Sequence, residues 1–326
     1  MPSWLLKAAL QGAIAPLPAR HHINRLLQRH LTGSLALSSE RFEAKLAQCA
    51  RHLERFAAVR GGGALPATAL EIGTGWQPIV PLGLALAGVR EVTTFDVAPL
   101  LDRESVTRVL ERYARALETG ALASRLPSLE RERARELLAT GRARGNDAGE
   151  RAGDHSPAAG RAPTAAWELL AHAGVRAHVG TLAEAGLRPG SIELIVSNNT
   201  LEHIPPAELA DLFGELARLA APGAVMDHFI DLSDHYAHFD RSLSELNFLR
   251  FPARTWRLFN NRLHYQNRLR IGDYTALIER AGFRVVDQRL ERGSEQALAQ
   301  ISLAPEFRHY RREELLVLRA WITARA

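Results

Sequence analysis

The stretch ALEIGTGWQPIVPLGLAL, residues 69–86, reads as an apolar strand, a tight turn with two glycines, and an apolar helix. Gly73 and Gly75 carry no Cβ, so the backbone there can approach a ligand closely. A dinucleotide-binding fingerprint wants a third glycine at position 78, and this chain has Pro78. Two residues before the first glycine stands Glu71, at the end of a buried strand where a carboxylate needs a partner.

Beyond this stretch, strands alternate with helices. EVTTFDVAP is a second strand ending at Asp96. VRAHVG, SIELIVSN and AVMDHFIDL are the third to fifth, and FRVVDQRLE and LLVLRAWITA the last two. PPAELADLFGELARLAAPG is a helix with proline near its start and glycine at its end, and 273–281 is another. This alternation predicts an α/β fold, a doubly wound, mainly parallel seven-stranded sheet with a hairpin reversing the final strand. Ligands in such sheets sit beyond the carboxyl ends of the strands. Those ends carry Gly73-Thr74-Gly75, Asp96, Gly180-Thr181, Asn198-Asn199 and Asp231.

Residues 1–62 form an N-terminal helical extension in which Leu5, Leu6, Ala9 and Leu10 fit one face. Residues 63–326 hold the sheet, with insertions over 102–168 and 233–272. From Arg103 to about Thr140 the pattern is one long charged helix. Residues 141–165 contain no apolar side chain larger than alanine or proline and read as a mobile loop.

The chain has 326 residues, is 46% hydrophobic, and carries a net charge of +5. Of its 41 basic residues only Lys7 and Lys45 are lysines, and the arginines are spread among nearly as many acids. That spread argues against a nucleic-acid partner. No apolar run spans a bilayer and no secretory signal opens the chain, so a cytoplasmic location and no membrane span are expected. The single cysteine, Cys49, forms no internal disulfide.

EIGTG, residues 71–75, resembles the E/D-x-G-x-G first motif of the class I S-adenosylmethionine-dependent methyltransferases. SNNTLEHIPP is similar to their fourth motif, and ERAGFRVV to the entry of their sixth strand. The resemblance covers about 67–101 and 170–325. It implies the Rossmann-like methyltransferase fold and S-adenosyl-L-methionine as cofactor. It implies that Glu71 contacts the cofactor's amino group, that Gly73, Thr74 and Gly75 lie against its amino-acid end, and that Asp96 accepts from the ribose hydroxyls. In place of the acid that many members carry after the third strand, this chain has Gly180-Thr181, so adenine falls to Thr181, Leu182 and backbone groups. Asn198 and His203 complete the expected cofactor set. Glu193 stands where an aspartate is common.

The activity so implied is methyl transfer to an oxygen or nitrogen of a small-molecule acceptor. The alternatives are a nicotinamide-dependent oxidoreductase or a non-catalytic cofactor-binding protein. A nucleic-acid methyltransferase would want N-P-P-Y or D-P-P-Y after strand four, where this chain reads SNNT.

MDHFIDLSDHYAHFD, residues 226–240, holds four aspartates and three histidines. If the chain turns helical after Asp231, then Asp231, Asp234, His235 and His238 share one face. An internally paired polar loop, a proton-transfer site and a metal site all remain open, although the spacing matches no metal signature and no metal ligand is assigned. The catalytic candidates are His235 as general base, Asp231 or Asp234 orienting it, and His228 as runner-up. The aromatic and arginine-rich stretch 247–274 reads either as an insertion packed on the sheet edge or as a lid that builds the acceptor pocket. There Arg250, Arg254, Arg257, Arg262 and Arg268 suit an acceptor's carboxylate or phosphate.

Overall fold

The computed structural model describes residues 3–14, 37–126, 128–147, 165–261 and 263–326. Seven strands form one sheet in the order β3-β2-β1-β4-β5-β7-β6. They are β1 Thr68–Ile72, β2 Glu91–Asp96, β3 Val175–Val179, β4 Ile192–Asn198, β5 Ala220–Asp231, β6 Arg284–Arg292 and β7 Val317–Arg325. The doubly wound α/β expectation is met, and β7 lies between β5 and β6. The pairs β1–β2, β1–β4 and β2–β3 are parallel. Their register sets Ile72 beside both Phe95 and Ser197, and Asp96 beside Val179. The glycine turn, Asp96, Gly180 and Asn198 therefore leave the sheet at one edge.

The chain divides into two compact units. One comprises residues 37–198, 214–227 and 323–326; the other comprises 1–36, 199–213 and 228–322. We call them the glycine-turn unit and the histidine unit. The division does not follow residue 62, because helix α2, Ser39–Arg60, belongs with β1 to β4.

In the glycine-turn unit, α2 starts at Ser38, whose side chain accepts from the Arg41 amide, and stops at Gly61 with a φ of 85°. Its Phe42, Leu46, Cys49, Leu53 and Phe56 repeat at helical spacing and are buried. They pack in one core with α3, Ile79–Leu86, and α4, Arg103–Glu118. Gly83 of α3 is needed there: a Cβ would stand 2.8 Å from both Cys49 Sγ and Tyr113 Oη. The expected long charged helix is three helices: α4, α5 Ala121–Arg125 and α6 Arg131–Asp147. Gly120, with a φ of 78°, makes the first break. The predicted mobile loop begins too early, since α6 runs to Asp147; residues 148–164 lie outside the described set. Order resumes at α7, Ala165–His172.

The histidine unit holds α1, Ser3–Ile14, and α9, Ile271–Arg280, with α8, Pro206–Leu219, beginning in it. The buried face of α1 is Trp4, Ala8, Gln11 and Ile14, while Leu6 is 66% exposed. The expected face of Leu5, Leu6, Ala9 and Leu10 is corrected, because the Trp4 indole meets Tyr236, Phe251 and Phe259 and turns the helix onto that side. Phe248, Trp256, Phe307 and several leucines extend this aromatic core. Arg270 is buried within it and donates to the carbonyls of Leu232, Leu315 and Val317. Among the described residues no helix is long and apolar enough to cross a membrane.

Candidate functional site

The glycine-turn unit presents a ring of polar groups at the ends of β1 and β2. The amide of Gly73 donates to the Phe95 carbonyl at 2.8 Å, tying the turn to β2. Gly73 and Gly75 have φ values of 87° and 64°, which a residue with a Cβ rarely adopts. A Cβ on Gly75 would meet no atom within 4 Å, so the turn faces open space. The Gly75 amide donates to Asp96 Oδ2 at 2.9 Å and the Ala98 amide to Oδ1 at 3.1 Å. Each oxygen keeps a lone pair for a further donor, which is what two hydroxyls of a diol require. Burial raises the Asp96 pKa while those amides hold it down.

Glu71 is buried, and its Oε2 accepts from Thr94 Oγ1 at 2.8 Å. Thr94 Oγ1 is in turn 2.6 Å from Thr74 Oγ1. Burial pushes the Glu71 carboxyl up to about 8; the Thr94 bond and the Lys45 charge pull it down, and Asp96 adds to the rise. A carboxylate so placed gains most from a cationic partner.

Thr181 and Leu182 open a short turn. The Thr181 amide donates to Glu184 Oε2 at 2.7 Å, and its carbonyl lies 3.0 Å from His178 Nε2. Those backbone groups are thus already engaged, by a glutamate and a histidine that sequence reasoning passed over. Glu193 accepts from the Ala67 amide at 2.7 Å, pinning the entry of β1. Asn198 is buried, with Oδ1 3.2 Å from Nε2 of His52. Nδ1 of His52 bonds Asp227 at 2.7 Å, and Asp227 also accepts from Thr323. Asn198 is thereby part of a buried polar tie joining α2, β4, β5 and β7. Spacing in sequence gave no sign of His52.

In the histidine unit the chain after Asp231 makes tight turns rather than a helix. The carboxylate of Asp234 accepts from the Tyr236 amide and from Asn247 Nδ2, so it fastens the turn instead of orienting His235. Asp231 Oδ1 accepts from Ser233, and Oδ2 stands 3.4 Å from His238 Nε2. It is the backbone of Asp231 that bonds His235. His228 is buried with its ring 6.0 Å from Phe213 of α8, edge to face.

Around His235 three more imidazoles gather: His203 at 5.0 Å, His238 at 5.3 Å and His264 at 6.1 Å between ring centroids. His203 Nδ1 lies 2.7 Å from the Tyr265 carbonyl. One ligand atom from each of Glu202, His203 and His235 falls within 4.8 Å of the others. Burial drives the pKa of His235 well below its ordinary value, and the neighbouring His203, His238 and Lys7 charges add to this. Burial first, and then the Lys7 charge, likewise push His264 well below its ordinary value, and burial also lowers His203. His203, expected beside the cofactor, is thus a member of this cluster.

Arg268 is not available to an acceptor. Its guanidinium donates to the carbonyls of Phe248 and Phe251 and lies over Trp256 and Phe307. Arg250, Arg254 and Arg257 are exposed, and Arg262 lies outside the described residues.

Residues 39–288 match the family model described as a methyltransferase domain. The chain belongs to this family. The resemblance drawn from EIGTG and LEHI is thereby borne out, and the chain is a methyltransferase. It is similar in structure to a methyltransferase from Methanosarcina mazei, at 15% identity over 79% of this chain and 91% of that one, with a TM-score of 0.38. A putative sarcosine dimethylglycine methyltransferase from Galdieria sulphuraria gives 13% identity over 89% and 92%, with a TM-score of 0.42. Phosphoethanolamine N-methyltransferase 2 from Haemonchus contortus gives 13% identity over 85% and 52%, with a TM-score of 0.42. No curated protein sequence matches the chain.

Proposed function

We propose that this methyltransferase uses S-adenosyl-L-methionine to methylate an oxygen or nitrogen of a small molecule. The observation that carries the cofactor assignment is the pair of carboxylates, buried Glu71 and half-buried Asp96, beside the open glycine turn. When bound, the cofactor supplies a methyl group already activated on a sulfonium, so no redox partner is required. Glu71 holds the cationic amino group, Asp96 accepts from the ribose diol, and the Cβ-free turn lets the backbone approach the amino-acid end. Val97, 77% exposed beside Asp96, offers apolar surface to the purine.

The acceptor's chemistry is assigned to the histidine unit. A hydroxyl or ammonium must give up a proton to expose its lone pair, and a neutral imidazole held in one tautomer suits that task. Exposed Arg250, Arg254 and Arg257 suit an acceptor carrying a carboxylate or phosphate. Calorimetric titration of S-adenosylhomocysteine into the native protein and into Asp96→Ala tests the cofactor half. A screen of acceptor pools with isotopically labelled methyl donor tests the acceptor half. Equal affinity in a folded Asp96→Ala protein would withdraw the cofactor assignment.

A further inference from the structure

We propose that Glu202, His203 and His235 form a binding site for a divalent first-row transition ion, of the two-imidazole, one-carboxylate type. Their ligand atoms, one from each, lie within 4.8 Å of one another before any ion draws them together. Such a donor set with positions left over is that of His2Glu zinc sites and of the facial triads that hold iron.

The bonds behind these side chains point the same way. His203 Nδ1 meets the Tyr265 carbonyl, and His235 bonds the backbone of Asp231. A carbonyl only accepts, so each ring must donate its N–H there, leaving the lone pair on the other nitrogen. That outer arrangement fixes tautomer and ring orientation in metal-binding histidines. Nε2 of His235 is shielded from solvent and has no hydrogen-bond partner among the described residues. A buried nitrogen left so carries an unrecovered desolvation cost, which an ion removes.

The backbone around the third ligand is also held. Glu202 Oε1 accepts from the Asp231 amide at 3.3 Å. Asn267 ties down the turn that carries Glu202 and His203, through the carbonyls of Leu201, Glu202 and Ile204. The two imidazoles and one carboxylate leave coordination positions for oxygen ligands, so an acceptor hydroxyl, phenol or carboxylate is the chemical class that would complete the ion's shell.

The site stands on its own geometry and is tested without a methyl donor. The native protein is stripped with a chelator, then titrated with Zn²⁺ by calorimetry, and with Co²⁺ while its visible absorption is recorded. One equivalent should bind, with the Co²⁺ bands of a nitrogen and oxygen ligand field. His235→Ala and Glu202→Gln should each weaken Zn²⁺ binding by about a hundredfold or more, beyond the loss expected from disturbing an outer partner alone. His238→Ala, outside the triad, should leave it within a few-fold. Circular dichroism checks that each variant is folded. A native protein that binds no Zn²⁺, or folded His235→Ala and Glu202→Gln proteins that bind it as tightly as the native one, would overturn the proposal. S-adenosylhomocysteine affinity, measured on the same stripped protein, shows separately whether the cofactor assignment stands.

Discussion

The glycine turn and the histidine cluster both keep polar groups in shielded places, and they do it in opposite senses. At the turn, carboxylates receive donors: Gly75 and Ala98 amides on Asp96, and the Thr94 hydroxyl on Glu71. What is kept ready there is acceptor oxygen for a cation, with burial holding the Glu71 carboxyl up to about 8 until such a ligand draws its proton away. In the cluster the donors are the histidines, whose N–H groups are spent on carbonyls so that lone pairs remain. What is kept ready there is neutral basicity. One region is prepared for a cation with hydroxyls, the other for a proton or a metal ion.

The test most able to break this contrast removes the hub of the cluster. His235→Ala should lower the turnover number by about a hundredfold or more while cofactor affinity barely changes. Steady-state kinetics beside calorimetry gives both numbers. Near-normal turnover would remove His235 from proton transfer and leave the ion site to its own Zn²⁺ titration.

The reciprocal change comes next. Asp96→Ala removes the acceptor of two amides and, by assignment, of the ribose diol. It should weaken cofactor binding by about 1–3 kcal/mol, read by calorimetry, with turnover at saturating cofactor much less affected. A variant that lost turnover but not affinity would reverse the assignment of the two regions.

The two regions were not equally legible. Glu71, Gly73, Gly75 and Asp96 lie at consecutive strand ends, and a pattern of short range captures them. The sheet was legible for the same reason, since each βα unit repeats its own local signal. The cluster draws His203, His235 and His264 from three segments, with Glu202 beside His203 and His235. No spacing rule joins residues that meet through tertiary folding alone. The face of α1 was misread because periodicity weighs leucines equally, whereas Trp4 chose the side by finding aromatic partners. Arg268 was grouped with the acceptor-binding arginines because its stretch is arginine-rich, while its folded neighbours are carbonyls and rings.

Arg268 has a φ of 60°, uncommon for any residue but glycine, and its guanidinium contacts are what offset the strain. Arg268→Ala should cost about 2 kcal/mol of stability through lost charge-assisted bonds and ring contacts. The KM for an anionic acceptor should stay unchanged. A raised KM with unaltered thermal stability would return Arg268 to the acceptor-binding role.

The gentlest effect sharpens the contrast most, because one residue should give opposite signs in two measurements. Burial pushes the Glu71 carboxyl of the folded protein up to about 8, against an ordinary value of 4.5. Between these values the folded chain keeps a proton that the unfolded chain has lost. Unfolding then releases a proton, so the stability of the ligand-free protein falls as pH rises through that window, and is fully retained only below it. Glu71→Gln should flatten this decline in a series of thermal melts. A cationic cofactor instead prefers the carboxylate, so below about pH 8 its binding must expel the same proton. Affinity should therefore rise with pH, no more steeply than about tenfold per unit, and level off near 8. The cofactor's own amine also loses charge near there, but that contribution is common to Glu71→Gln and cancels in the ratio of the two proteins. The ratio should grow with pH and approach unity under acid conditions. A ratio independent of pH would mean that Glu71 keeps its proton when the cofactor binds, and that the turn recognises hydrogen bonds alone.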